Sequence, residues 1–304
     1  MMSIDRISLV PLERPALAAT LVVWLWFVMA PTAFGADESR IASIGGSVTE
    51  IVYALGEGNR LVARDTTSNY PPEILALPDI GYIRALSPEG VLSVDPDMIL
   101  ILEGFGPPEA AEVLRQAGVR IVEVPEGYDR NAVIGKIETV AAALGVEEKG
   151  RELSQTVRSG FDRMAEAVGN VKNRVKVMFV LSTAGGRIMA AGRDSHADGI
   201  IALAGATNAF DAFAGYKQVT EEAIADAAPD AILMMDRGGD HAVSAESLFA
   251  MPSFSQTPAA KNAMLIKMDG MYLLGFGPRT PNAARELASK LYPGIVEAPE
   301  GGRP

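Results

Sequence analysis

The segment Gly81-Tyr82-Ile83-Arg84 holds the residues whose types and spacing best suit metal chemistry. A phenolate oxygen is a hard, anionic donor for ferric iron, but a phenol has an ordinary pKa of about 10 and must be helped to ionise. In an extended loop Tyr82 and Arg84 would lie on the same side, where the guanidinium could hydrogen-bond the phenolate and lower its pKa. The same spacing also fits a half-buried loop tyrosine beside a surface arginine.

Few residues are available for other kinds of metal or catalytic site. The chain has 2 His, at positions 196 and 241, and no Cys, which excludes thiolate zinc sites, iron–sulfur clusters, disulfides and thiol nucleophiles. Neither a nucleophile elbow nor a zinc-protease motif occurs, and Gly45-Gly46-Ser47 lacks the lysine of a phosphate-binding loop. The alternative enzyme class is an exported hydrolase using Ser195 with His196 or His241, and no local motif supports it.

The composition favours a folded, acidic, globular protein. Its 304 residues are 48% apolar and 21% charged, with 27 Lys and Arg against 38 Asp and Glu and a net charge of −11. These values exclude disorder and argue against the broad basic surface that nucleic acid or an anionic membrane requires. A neutral, cationic or locally matched ligand fits the charge balance.

The first 35 residues are typical of a secretory signal peptide. Residues 16–30 form a near-apolar run of 15, preceded by Arg14 and followed by the small-x-small site Ala33-Phe34-Gly35. The run is shorter than the roughly 20 residues that cross a bilayer, so cleavage is favoured over an N-terminal membrane anchor. Because the chain has no Cys for lipid attachment, we expect a free protein in a Gram-negative periplasm.

Short β-rich runs alternate with helical segments after the leader, which indicates an α/β fold with mainly parallel sheets. A polar stretch at residues 147–168 carries apolar side chains at helical spacing and predicts one long helix. We therefore predict two Rossmann-like lobes, residues 36–145 and 171–304, joined by a bridging helix over 146–170, with a ligand cleft between them. The predicted strands are 40–44, 61–64, 98–102, 120–124, 175–181, 232–235 and 265–267.

An internal repeat supports the two-lobe division. Ser87-Pro88-Glu89 and then Pro96-Asp97 are matched, 133 residues later, by Thr220-Glu221-Glu222 and then Pro229-Asp230. The first residue of each triplet is a predicted helix N-cap, and each Pro-Asp ends a helix before a buried strand.

A looser repeat pairs Ser47-x-x-Glu50 with Ser195-x-x-Asp198. Each pattern follows a Gly-containing loop and predicts a capping box, in which the serine caps a helix and the acid reaches back to the cap.

Three segments resemble periplasmic haem-binding proteins of bacterial ABC-type hemin uptake systems. They are residues 79–90 around Tyr82, Gly104-Phe105-Gly106-Pro107-Pro108, and Gly275-Phe276-Gly277-Pro278-Arg279-Thr280-Pro281. The resemblance covers essentially the whole chain after the leader, and the order of elements is also similar to the wider family that binds cobalamin and ferric siderophores. It implies a solute-binding protein rather than an enzyme, with two lobes bridged by one long helix.

The resemblance implies that Tyr82 binds the haem iron and that Arg84 supports it. Some relatives carry a second axial histidine after the first strand of the C-terminal lobe, where this chain reads Leu181-Ser182-Thr183-Ala184-Gly185-Gly186. His196, at the start of a predicted helix, is the possible replacement. His241 is another candidate for the second axial ligand and is less favoured. Five-coordinate iron is the other expectation.

Further pocket residues are predicted in Gly-rich loops expected at strand ends, in the loop Asn69-Tyr70-Pro71-Pro72 and in the Pro-rich turn around Arg279. They would wall the macrocycle or, in the case of Arg279, pair with a haem propionate, although each also fits an ordinary core or surface role. The candidates are Tyr70, Phe105, Met271, Tyr272, Phe276 and Arg279.

The repeat also predicts how the protein meets its transporter. In the wider family an acid on each lobe pairs with permease arginines, and the duplicated helix starts place Glu89 and Glu222 in matching positions, with Glu221 as a neighbour. Acids in a first helical turn also favour the helix macrodipole by about 0.3–1 kcal/mol. The resemblance thus implies a monomeric carrier that hands haem to an ABC permease and its ATPase, with cobalamin or a ferric siderophore as alternative cargo.

Overall fold

The computed structural model describes residues 40–236 and 243–299. The predicted leader at 1–35 and His241 lie outside these ranges. Within them, none of the helices combines the length and the apolar character that a membrane span requires.

The N-terminal lobe is built on a parallel four-stranded sheet. Its strands are β1 (Ile41–Ile44), β2 (Leu61–Arg64), β3 (Met98–Leu102) and β4 (Arg120–Val124), in the order β2-β1-β3-β4. The central strands β1 and β3 are buried throughout, as their unbroken apolar or small residues predict for a sheet covered on both faces. The helices are α1 (Gly46–Ala54), α2 (Pro88–Leu92), α3 (Pro108–Gln116) and α4 (Arg130–Leu144).

The bridging helix is α5 (Glu147–Gly169), which confirms the helix predicted over 147–168 to within one residue. Its buried face includes Val157, Phe161 and Met164, and the opposite face is charged. It packs mainly against α4, and its position in the chain separates the two sheets.

The C-terminal lobe is built on a mixed sheet in the order β10-β9-β5-β6-β8, with β7 paired to β5. The strands are β5 (Lys176–Ser182), β6 (Ile188–Ala191), β7 (Thr207–Asn208), β8 (Tyr216–Val219), β9 (Ala231–Asp236) and β10 (Leu265–Asp269). Strands β10, β9, β5 and β7 pair in parallel, whereas β6 is antiparallel to both β5 and β8.

The sequence analysis missed β6, β7 and β8. Strand β7 has 2 residues, and the two central residues of β8, Lys217 and Gln218, are exposed, so neither carries an apolar run. The prediction of mainly parallel sheets holds for the first sheet, and the second is mixed.

The helices of the C-terminal lobe are α6 (His196–Leu203), α7 (Glu221–Ala227), α8 (Ala245–Phe249), α9 (Pro252–Ser255), α10 (Pro258–Lys261), α11 (Gly270–Leu274) and α12 (Thr280–Leu291). The lobe boundaries at 36–145, 146–170 and 171–304 stay a prediction.

The internal repeat extends to its hydrogen bonds. Ser87 accepts a hydrogen bond from the Gly90 N–H at 3.2 Å, and Thr220 accepts one from the Ala223 N–H at 3.2 Å, so both predicted N-caps are confirmed. One turn of helix is therefore started in the same way in both lobes.

The Pro-Asp elements also match. The carboxylate of Asp97 accepts a hydrogen bond from the Arg40 N–H, and that of Asp230 accepts one from the Lys176 N–H, both at 2.9 Å. Each aspartate thereby joins the start of its own strand to the start of the neighbouring strand.

The looser repeat forms neither predicted capping box in full, because the Asp198 carboxylate accepts a hydrogen bond from the Asp194 N–H at 3.2 Å and, among the described residues, none from the Ser195 N–H. Ser195 caps α6 by accepting a hydrogen bond from the Asp198 N–H at 3.2 Å. Helix α1 instead begins one residue before Ser47, with Gly45 at the cap and no side-chain bond. The Ser47 hydroxyl is buried and has no hydrogen-bond partner among the described residues.

The two lobes touch backbone to backbone where α6 meets the N-terminal lobe. A methyl group on Gly199 would collide with the carbonyl oxygen of Tyr128 and would lie 3.1 Å from the Phe276 ring. Only a residue without a side chain lets α6 pack this closely.

We expect Gly199→Ala to lower the free energy of unfolding by about 1–3 kcal/mol, because the added methyl overpacks this contact. Gly135→Ala in α4 is the matched control, since nothing lies within 4 Å of its added methyl. Alanine in an open helical position should be neutral or stabilising by up to about 1 kcal/mol. Urea unfolding of both variants checks this, and equal stabilities would contradict it.

Candidate ligand-binding site

A cavity of about 800 Å³ opens at the carboxyl ends of strands from both sheets. Parallel α/β sheets place ligands at these ends, and the volume suits a ligand of several hundred daltons. The lining residues are Gly45, Gly46, Ser47, Thr66, Thr67, Asn69, Tyr82, Ile83, Arg84, Leu102, Glu126, His196, Tyr216, Met235, Asp236, Asp269, Gly270, Met271, Leu274 and Gly275.

Tyr82 and Arg84 both line the cavity. Tyr82 is 50% exposed, so its phenol is open to a ligand. The expected extended loop is wrong, because residues 82–85 turn, with the Ala85 N–H donating to the Tyr82 carbonyl at 2.7 Å. The Arg84 Nη1 donates to the Gly104 carbonyl at 2.7 Å, and no hydrogen bond of the described residues joins it to Tyr82.

A buried carboxylate organises the adjoining wall. Asp65 is fully buried and accepts hydrogen bonds from the Gly45 N–H at 2.9 Å, the Ser68 hydroxyl at 2.7 Å, and the Thr67 N–H and hydroxyl at 3.1 and 2.7 Å. These bonds hold the two loops that follow β1 and β2 against each other. The sequence analysis missed Asp65, although an acid followed by three hydroxyl residues at the end of a predicted strand was a usable signal.

His196 lines the cavity as predicted from its place at the start of α6. Its Nε2 lies 3.3 Å from a carboxylate oxygen of Glu126 in the other lobe. The ring is packed edge-on by Tyr128 and Phe276, with centroid distances of 5.5 and 5.7 Å. The contact between Nε2 and Glu126 and the packing of the two rings therefore orient the imidazole in the ligand-free protein.

Glu126 also forms an ion pair with Lys136, whose side chain is fully buried. Burial acts to raise the pKa of Glu126, but the hydrogen bond from His196 and the charge of Lys136 outweigh it and lower the pKa to about 2. Burial lowers the pKa of Lys136, and the Glu126 carboxylate opposes this. The sequence analysis missed both residues.

Arg279 does not line the cavity, which corrects its assignment as a propionate partner. Its guanidinium makes two hydrogen bonds to the carboxylate of Glu50 in the other lobe, that of Nε at 3.0 Å. The guanidinium also stacks 3.5 Å above the ring of Tyr70 and 5.2 Å from that of Tyr272. Burial raises the pKa of Glu50 above its ordinary value, although the hydrogen bonds and charge of Arg279 act to lower it.

Of the other pocket candidates, Met271 lines the cavity and packs against the Gly46 backbone. Tyr70 lies under Arg279 and is not part of the lining. Tyr272 and Phe276 are buried, at 8% and 1% exposure, and burial raises the pKa of Tyr272 to about 12. Phe105 is half-buried beside Arg115, with its ring centroid 5.9 Å from the guanidinium.

A second tyrosine, Tyr216 of β8, lines the cavity and was missed by the sequence analysis. The Ala197 backbone and the Ser195 side chain act to lower the pKa of its hydroxyl. Burial nevertheless raises its pKa, which disfavours the phenolate form. No sequence signal marked it, because β8 itself was not predicted.

The two predicted docking acids are exposed at equivalent helix starts. The Glu89 carboxylate accepts a hydrogen bond from the Ser87 hydroxyl at 2.8 Å, and bonds from its own backbone N–H and this hydroxyl lower its pKa. Glu221 accepts a hydrogen bond from the Ser253 hydroxyl at 3.2 Å. Glu222 is exposed and makes no hydrogen bond or ion pair with the described residues, which distinguishes it from its neighbour.

A bare metal ion has no ready site here. In residues 40–236 and 243–299, His, Asp and Glu side chains do not gather in threes in a way that could hold a metal ion.

The family model described as "Periplasmic binding protein" matches residues 41–272. Among solved structures, the chain is similar to the periplasmic heme-binding protein BhuT in complex with two hemes, with 38% identity and a TM-score of 0.79 over 83% of this chain and 97% of that one. It is also similar to the periplasmic heme-binding protein RhuT from Roseiflexus sp. RS-1, with 35% identity and a TM-score of 0.80 over 84% and 98% of the two chains.

Curated relatives are more distant. An uncharacterized ABC transporter substrate-binding lipoprotein of Bacillus subtilis is 28% identical over 84% of this chain and 81% of its own length. A vitamin B12-binding protein of Vibrio parahaemolyticus is 26% identical over 82% of this chain and 87% of its own length. The fold and the two-lobe architecture agree with the resemblance seen in the sequence.

The stabilising effect of the Glu126 contacts should depend on pH, and Glu126→Gln should remove this dependence. Because the folded-state pKa is about 2 against an ordinary 4.5, the carboxylate stabilises the fold fully above pH 4.5 and loses this contribution as the pH falls towards 2. The difference in unfolding midpoint between wild type and Glu126→Gln should therefore be largest near neutral pH and shrink through this window. Thermal melts across the window measure it, with the exposed Glu123→Gln as control. A difference that stays constant would contradict the assignment.

Proposed function

We propose that this chain, which belongs to the periplasmic binding protein family, captures haem in its interlobe cavity and delivers it to an ABC importer. The observation that carries the proposal is Tyr82, which is 50% exposed and lines the cavity. A phenolate there would supply the axial oxygen ligand of ferric haem.

The other tyrosines explain why Tyr82 is the proposed ligand. The chain has 7 Tyr, and two of them, Tyr82 and Tyr216, line the cavity. Burial raises the pKa of Tyr216 and so disfavours its ionisation. Tyr70, the other tyrosine predicted near the cleft from its loop, is covered by the Arg279 guanidinium.

Arg84 supports the phenolate in this proposal. Its guanidinium lies in the same lining, bonded to the Gly104 carbonyl, and would exchange that carbonyl for the ionised oxygen when haem binds. A charged donor gains more from an anion than from a neutral carbonyl.

His196 stays the candidate for a second axial ligand. With Nε2–H donated to Glu126, the lone pair remains on Nδ1. A carboxylate bonded to the far nitrogen is the usual arrangement of a metal-binding histidine. Without this ligand the iron is five-coordinate.

Ferric haem titrated into the purified protein should give a saturable Soret shift with phenolate-to-iron charge-transfer features. We expect Tyr82→Phe to abolish those features and to weaken haem binding by about 100-fold or more, since even outer-shell changes cost about 10- to 100-fold. Tyr70→Phe is the matched control, because it removes a phenol outside the lining. A His196→Ala variant with an altered spectrum would identify the second ligand.

The absence of a saturable shift in wild type would contradict haem as the cargo. The same titration with cobalamin then tests the alternative, which the similarity to a vitamin B12-binding protein supports. A ferric siderophore fills the iron coordination sphere itself and would leave Tyr82 without a metal role. A spectrum unchanged in Tyr82→Phe would reject this tyrosine while keeping haem.

Glu89 and Glu222 are the proposed contacts to the permease, one on each lobe. Their exposure at equivalent helix starts supports this role. The proposed setting is the periplasm, reached through the leader at 1–35, with the protein free and monomeric.

The charge reversals Glu89→Lys and Glu222→Lys should each slow haem transfer to the importer by about 10-fold, because a like charge replaces an interfacial pair. Haem affinity should not change. Glu152→Lys on the exposed face of α5 is the control. Haem uptake into proteoliposomes carrying the permease and its ATPase measures the effect, and uptake unchanged by both reversals would reject the docking assignment.

A further inference from the structure

We propose that Asp79 is a positioning residue that fixes the backbone carrying Tyr82 before haem arrives. This inference rests on the proposed function, because it concerns the proposed iron ligand. Asp79 lies three residues before Tyr82 in a loop outside the regular elements, where it forms an isolated parallel bridge with Arg64 at the end of β2.

Both carboxylate oxygens of Asp79 are used. Oδ1 accepts hydrogen bonds from the Gly81 N–H at 2.9 Å and the Thr66 hydroxyl at 3.1 Å. Oδ2 accepts one from Nη1 of Arg64 at 3.1 Å. The carboxylate therefore ties the residue directly before Tyr82 to the end of a sheet strand.

Backbone hydrogen bonds continue the same connection. The Ile80 N–H donates to the Arg64 carbonyl at 2.9 Å, and the Thr66 N–H donates to the Gly81 carbonyl at 2.9 Å. Gly81 adopts a φ of 103°, a conformation that favours glycine and that a free loop would readily leave. The Asp79 carboxylate, bonded to the amide of this same residue, holds it there.

The other side of Tyr82 is also held. The Gly106 N–H donates to the Ile83 carbonyl at 3.0 Å, and the Leu86 N–H donates to the Gly106 carbonyl at 2.9 Å. The backbone of Tyr82 is thus fixed on both sides while its side chain remains 50% exposed. Because the loop is already ordered, haem binding does not have to offset the entropy that a mobile loop would lose.

Asp79→Ala and Asp79→Asn test the inference. Asparagine keeps an oxygen for the Gly81 N–H and the Thr66 hydroxyl but removes the charge that pairs with Arg64. We expect haem affinity to fall about 10- to 100-fold in Asp79→Ala, as for outer-shell partners of metal ligands, and by less in Asp79→Asn. The charge-transfer features of the phenolate should broaden or shift in Asp79→Ala, an effect that lost stability alone would not produce.

A readout without haem accompanies the titration. In the ligand-free protein, amide exchange of Gly81 followed by NMR should be about 10-fold faster in Asp79→Ala. Asp162→Ala is the matched control, since it removes an exposed, ion-paired aspartate of α5.

Three results would overturn the inference. One is unchanged Gly81 exchange in Asp79→Ala, and another is faster exchange with an unchanged haem affinity and spectrum. The third is a wild-type protein that binds no haem, which overturns the proposed function as well. Haem binding by wild type that depends on Tyr82 but not on Asp79 overturns this inference alone.

Discussion

The buried ion pair between Glu50 and Arg279 is the interaction on which the site depends. It joins α1 of one lobe to the start of α12 in the other, and the guanidinium is further held over the rings of Tyr70 and Tyr272. Removing one partner of such a pair costs about 3–5 kcal/mol, because the other is left buried and uncompensated. The ion pair therefore fixes α1 and α12, and with them the two lobes that line the cavity, relative to each other.

A second acid-to-base contact joins the lobes beside the cavity. Lys136 forms an ion pair with Glu126, and the Glu126 carboxylate contacts the imidazole of His196 in the opposite lobe. Together with the Asp65 hydrogen bonds, these contacts place charged groups around the ligand without leaving them unsatisfied. Two lining hydroxyls lack a hydrogen-bond partner among the described residues, the exposed phenol of Tyr82 and the buried hydroxyl of Ser47.

Much of the fold was predictable because its signals are local. Buried parallel strands such as Met98–Leu102 are continuous apolar runs, and the amphipathic α5 has a helical period. Strands such as Tyr216–Val219 escaped prediction because they are short and partly exposed, and they exist through pairing with a neighbour.

The site divides in the same way. Tyr82 and Arg84 were predicted from the Gly-Tyr-x-Arg pattern and the resemblance it carries, His196 from the start of a predicted helix, and Met271 from a Gly-rich loop. All four line the cavity. Arg279 was misassigned because its partner Glu50 lies 229 residues away, a pairing no local pattern reveals. Tyr216 and Glu126 were missed for a related reason, since their contacts are tertiary, whereas Asp65 carried a local signal in the hydroxyl residues that follow it.

The close contact between Gly199 and the Tyr128 carbonyl has a consequence for how the chain folds. The described residues, 40–236 and 243–299, belong to one compact unit, although they contain two separate sheets. The contact lies where the two lobes meet, so α6 reaches this packing only against a folded N-terminal lobe. It can form only after residue 199 has been synthesised, which makes the docking of the two sheets a late event in folding.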